Sequence, residues 1–127
     1  MPKKIFTLEE ANRRIPLVKR IVADILSKGR KLKGLSLFEE TPSVKQEKDA
    51  LLEQMEKLMC ELENLGCYFK DWNFEVGLVD FPAIIEEREV LLCWRSDEPK
   101  IEWYHGFNDG YAGRKPIPGY LLKPHSQ

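Results

Sequence analysis

The side chains whose types could do chemistry gather in the second half of the chain. Asp80 sits in Gly77-Leu78-Val79-Asp80-Phe81-Pro82, Arg95 follows Cys93-Trp94, and His105 follows Trp103-Tyr104. Asp109 and Arg114 bound the run Asp109-Gly110-Tyr111-Ala112-Gly113-Arg114. Each stands at the rim of an expected strand or glycine turn, where binding groups held by a rigid sheet tend to collect. Arg114 offers a planar fork for a carboxylate or phosphate, and Gly110 and Gly113 permit positive φ and close backbone approach to a ligand. Asp80 and His105 together could hold a proton or a metal. The competing structural reading has Asp80 capping a turn, Arg95 and Arg114 paired with Asp80 or Glu102, and the glycines making a tight turn. No metal and no cofactor are expected; were an ion held, Asp80 and His105 would be the ligands.

The familiar catalytic signatures are missing. The sequence has no G-x-S-x-G, no H-E-x-x-H, no phosphate-cradling loop ending in Lys-Ser or Lys-Thr, and no paired-cysteine zinc spacing. Of two histidines, His125 lies almost at the last residue. Cys93, in an apolar strand beside Trp94, reads as a small buried residue rather than a nucleophile. A Cys93–His105 dyad across a hairpin is conceivable, but no third residue is evident to orient it. Cys60, Cys67 and Cys93 are an odd number without C-x-x-C spacing, which fits reduced thiols in a cytoplasmic protein.

These residues must be positioned by a two-part chain. Thr7-Leu8-Glu9-Glu10 fits a capping box. The helix that follows carries Ile15, Val18, Ile21, Val22, Ile25 and Leu32 on one stripe. Pro16 predicts a kink or a short first helix ending near Arg14, and Gly34 a stop. Thr41-Pro42 or Ser43 restarts a helix whose apolar series Leu51, Met55, Leu58, Leu62, Leu65 alternates four and three, the seam of a coiled coil. Gly66 suits a left-handed cap. Short strand-like segments follow at 67–72, 76–83, 89–95 and 101–105, the last two forming the clearest hairpin. Period two puts Cys93 and Arg95 on one face, Leu92 and Trp94 on the other. The tail from Lys115, with three prolines and Gly119, is expected to be irregular.

The fold class expected is therefore α+β: a long antiparallel helical hairpin over 7–66, then a small, mainly antiparallel β-sheet over 67–114, all in one domain of 127 residues. At 43% apolar and 32% charged the chain is composed like a folded, well-solvated protein. A net charge of −1 gives no global pull toward nucleic acid or an anionic membrane, and no apolar run is long enough to span a bilayer. The opening residues lack the apolar core of a signal peptide. Between Leu8 and Gly34 eight basic and three acidic residues balance at +5; between Val44 and Leu65 three basic and six acidic balance at −3. That contrast is read as pairing across the hairpin, with no nucleic-acid partner. Apolar stripes wider than a two-helix seam predict a homodimer.

Several motifs in order resemble a known family, the small bacterial and archaeal proteins catalogued as domain of unknown function 2203. The resemblance rests on Phe6-Thr7-Leu8-Glu9-Glu10-Ala11-Asn12 with Pro16-Leu17-Val18, on Gly77 to Ala83, on Leu92-Cys93-Trp94-Arg95 with Glu98-Pro99, and on His105 with Gly110 to Arg114. In that family a tryptophan usually stands directly before the histidine; here Trp103-Tyr104-His105 inserts a tyrosine. The resemblance implies one domain and this motif set, and brings no activity with it. Two readings follow: a binding or assembly module that dimerises through its helices and offers a polar pocket to a small anion or partner, or an enzyme using Asp80, His105 and Arg114 as base, shuttle and anion anchor.

Overall fold

The computed structural model describes residues 4–71 and 73–122. Helix α1 spans Leu8–Leu35 and opens on the expected capping box: Thr7 Oγ1 accepts from the Glu10 amide, and Glu10 returns an acceptor to the Thr7 amide, each at 3.0 Å. It runs unbroken through Pro16, against the expectation of a short first helix. The reason lies in packing. Ala11 and Ile15 before the proline, and Val18, Val22 and Ile25 after it, enter one core. Burying such aliphatic side chains is worth about 1.5–3 kcal/mol each, which together exceeds the roughly 3 kcal/mol of an interior proline. Pro16 itself faces solvent.

Helix α2, Pro42–Leu65, starts with Thr41 capping the Val44 amide at 3.2 Å and ends at Gly66 with φ 96°. The two helices form the hairpin, though not by ionic pairing. Three ion pairs run within a helix, Arg13–Glu9 at 2.6 Å, Lys45–Asp49 at 3.3 Å and Lys57–Glu53 at 3.7 Å. Lys48 reaches Glu40 in the connector and Glu10 reaches Lys4, and among the described residues none joins α1 to α2. Residues four apart on one helix already sit within reach, so local pairing forms first. No helix among the described residues is long and apolar enough to cross a membrane.

Five antiparallel strands follow in sequential order: β1 Tyr68–Phe69, β2 Leu78–Ile85, β3 Arg88–Arg95, β4 Trp103–His105 and β5 Lys115–Pro116. Strand β2 runs two residues beyond the expected end at Ala83 and turns into β3 through Glu86 and Glu87 alone, with φ of 51° and 67°. Positive φ at both central residues marks a type I′ turn, whose twist suits a hairpin. The expected irregular tail instead supplies β5 and a single turn of helix, α3 Gly119–Leu122, with Ile117 buried between them. Pro116 does not interfere because it lies on an edge strand. Trp72 and His125 lie outside the described residues.

The sheet has two faces. Val79, Phe81, Ala83, Val90, Leu92 and Trp94 alternate onto the face that shares the core with α1. Phe6 joins them through a short parallel bridge to Ala83, and Asn12 Oδ1 accepts the Ile101 amide at 2.8 Å, 89 residues away in sequence. Asp80, Leu91, Cys93 and His105 fall on the other face.

Candidate functional site

Three strands place three side chains. In the β2–β3 register Asp80 lies opposite Cys93, and in the β3–β4 register Leu91 lies opposite His105, so all three polar groups share the outer face on neighbouring strands. They are deeply buried, with Asp80 3% and His105 4% exposed. Their ligand atoms, a carboxylate oxygen, Sγ and an imidazole nitrogen, lie within 4.8 Å of one another. They floor a pocket of about 270 Å³ whose sides include Lys70, Leu78, Phe107, Gly110 and Tyr111.

The hydrogen bonds of His105 fix its chemistry. Nδ1 lies 2.8 Å from the Gly106 carbonyl, which only accepts, so Nδ1 carries a hydrogen. Nε2 faces Asp80 Oδ1 at 3.1 Å. One proton sits between these two groups, and whichever holds it the pair has no net charge. Burial pushes the Asp80 carboxyl upward, and the charge of His105 beside it pulls the other way. Burial first, then the charge of the neighbouring Asp80, push the Cys93 thiol up to about 12. Both imidazole nitrogens are engaged with Gly106 and Asp80, so neither faces Sγ as a base would in a nucleophilic triad.

The other expected site residues lie around this floor with partners of their own. Arg114 Nη2 donates to both oxygens of Glu98 at 2.8 Å and to the Cys93 carbonyl at 3.2 Å, while its guanidinium lies 5.0 Å from the ring centroids of Trp103 and Tyr111. Arg95 pairs with Asp97 at 2.6 Å and donates to the Tyr111 hydroxyl at 2.6 Å. Thus Arg95 pairs with Asp97 and Arg114 with Glu98, rather than either with Asp80 or Glu102. Asp109 accepts from the Gly106 amide at 3.2 Å, and a side chain at Gly113 would run into it. Gly110 has the positive φ expected of it, at 66°. The structure therefore brings Asp80 and His105 together and leaves Arg95, Asp109 and Arg114 engaged nearby. Sequence reasoning passed over Cys93 as apolar filling and did not single out Lys70 or Tyr111.

A family model described as "Uncharacterized conserved protein (DUF2203)" matches residues 4–117. The chain belongs to the DUF2203 family. The match to this family takes in both helices, the whole sheet and every residue of the pocket floor. No curated protein and no solved structure matches the chain.

Proposed function

We propose that this DUF2203 protein is a binding module whose working site is the pocket on the outer face of the sheet, and that it takes a small anionic ligand or the anionic group of a partner there. The observation that carries this reading is the burial of Asp80, Cys93 and His105 side by side at the floor of an open pocket. Buried polar clusters cost stability unless fully satisfied, and a sheet could fill the same positions with apolar residues at less cost. The shared proton leaves the Asp80–His105 pair neutral, so the sign of the pocket is set by Lys70 at its side. Lys70 thereby supplies the cation that Arg114, held by Glu98, does not. Leu78, Leu91 and Phe107 give the ligand apolar walls. We further propose that the protein pairs as a homodimer through its helices, supported by exposed Leu17 and Leu52, and that it works in the reducing cytoplasm, supported by three free thiols.

Thermal melting against a panel of small carboxylates and phosphates tests the site. A ligand at a hundredfold excess over its Kd adds about 2.7 kcal/mol, which is roughly 10 °C of melting temperature for a chain of this size. The expected result is such a shift in the wild type, reduced in Lys70→Ala. If no compound moves the wild-type melt, or if the shift survives both Lys70→Ala and His105→Gln, the pocket is not the binding site.

A further inference from the structure

The geometry points to a transition-metal site, best suited to Zn²⁺, formed by Asp80 Oδ1, Cys93 Sγ and His105 Nε2 at the floor of the pocket. The assignment rests on reading that pocket as a binding site, and names what the floor itself holds. Three features carry it. The first is the donor set: thiolate, imidazole and carboxylate together match zinc, and three protein ligands leave a fourth tetrahedral position open. That position would face the pocket, which Phe107 and Tyr111 also line.

The second feature is spacing. Two ligands at the usual zinc distances of about 2.0–2.1 Å subtend a tetrahedral edge of about 3.3 Å. Asp80 Oδ1 and His105 Nε2 are already 3.1 Å apart. No pair among the three ligand atoms exceeds 4.8 Å, so Sγ has at most about 1 Å to move inward to complete a zinc–sulfur bond of about 2.3 Å.

The third feature is the support behind the ligands. A metal-binding histidine characteristically donates its other ring N–H to a carbonyl or carboxylate, which fixes the tautomer and aims the free nitrogen at the ion. His105 does this toward Gly106, at 2.8 Å. Charge also balances. Binding one Zn²⁺ releases two protons to solvent, the thiol proton of Cys93 and the proton shared by Asp80 and His105. The resulting thiolate, carboxylate and neutral imidazole cancel the ion's charge, so the filled site buries none.

Cobalt(II) serves as the spectroscopic probe, on a Cys60→Ser background because Cys60 is the exposed thiol. Metal-free protein titrated with Co²⁺ is expected to give tetrahedral d–d absorption and a thiolate-to-metal charge-transfer band that saturate together at one ion per chain. Zn²⁺ should abolish both by displacing Co²⁺, and when added instead to metal-free protein it should release about two protons per ion. Cys93→Ser is expected to remove the charge-transfer band, and Asp80→Asn and His105→Gln each to weaken Co²⁺ binding by at least about tenfold. Circular dichroism of each variant confirms that it is folded. Absence of the spectrum in the parent protein, or a charge-transfer band that survives Cys93→Ser, overturns the assignment. The two readings fail separately: small anions shifting the melt of metal-free protein, with no cobalt spectrum, would sink the metal site and leave the pocket standing.

Discussion

Arg114 shows how a residue type can be legible when its partner is not. An arginine beside two glycines suggests an anion anchor, yet its guanidinium is already committed to Glu98 with side chains only 10% and 14% exposed. Removing one partner of a buried pair leaves the other charge stranded, at a cost of about 3 kcal/mol or more. Arg114→Ala and Glu98→Ala should therefore each lower the unfolding free energy by about that amount in urea titrations. The double variant should lose clearly less than the two losses together, because the second substitution removes a charge already stranded. Strictly additive losses would show that the two side chains do not act as a pair. Glu98 also accepts the Arg95 amide at 2.8 Å, and its carbonyl takes the Trp94 indole N–H at 3.0 Å. That one glutamate fastens the β3–β4 loop to the strand carrying Cys93.

At the scale of elements, the turn between β2 and β3 decides the site. Glu86 and Glu87 both adopt left-handed backbone, which costs an L-residue about 1 kcal/mol and is usually left to Asn and Gly. Replacing the pair by Glu86→Asn with Glu87→Gly should raise stability by about 1 kcal/mol, seen as a higher melting temperature with the sheet unchanged. A lower melting temperature would mean that the glutamates make stabilising contacts that outweigh their backbone strain. The same turn explains what the sequence hid. The capping box at Thr7, the caps at Thr41 and Gly66, and the split of β3 into two faces were all legible, because each depends on residues a few positions apart. The Asp80–Cys93 pairing depends on register. Counting back five pairs from Ile85–Arg88 reaches it, but two glutamates give no turn signal from which to start counting. Convergence of Asp80 and His105 needed a second register as well, and the commitment of Arg114 to Glu98 needed the fold of the loop between β3 and β4. Pro16 misled for the opposite reason: a strong local rule was overridden by core packing that no local window contains.

For the molecule as a whole, the hairpin exceeds what the sheet covers. In α2 only Met55 and Leu62 are fully buried, and Leu37, Phe38 and Leu52 stand 87%, 68% and 50% exposed. Exposed apolar surface of this kind characteristically marks an interaction site. Sedimentation at micromolar concentration should show a dimer that becomes monomeric in Phe38→Glu with Leu52→Glu, while the melting of the monomer stays cooperative. A wild type that sediments only as monomer would remove this expectation.

The order in which the chain is made gives the sheet's closure over α1 a further meaning. The stripe of Val18, Val22 and Ile25 is sealed by strands β2 and β3, which leave the ribosome some 60–70 residues later, roughly 3–14 s at ordinary synthesis rates. Through that interval a nascent hairpin carries its stickiest surface uncovered, with the Asn12–Ile101 clasp not yet translated. The growing chain is therefore most exposed to aggregation, and most attractive to a holding chaperone, in the seconds between its second helix and its third strand.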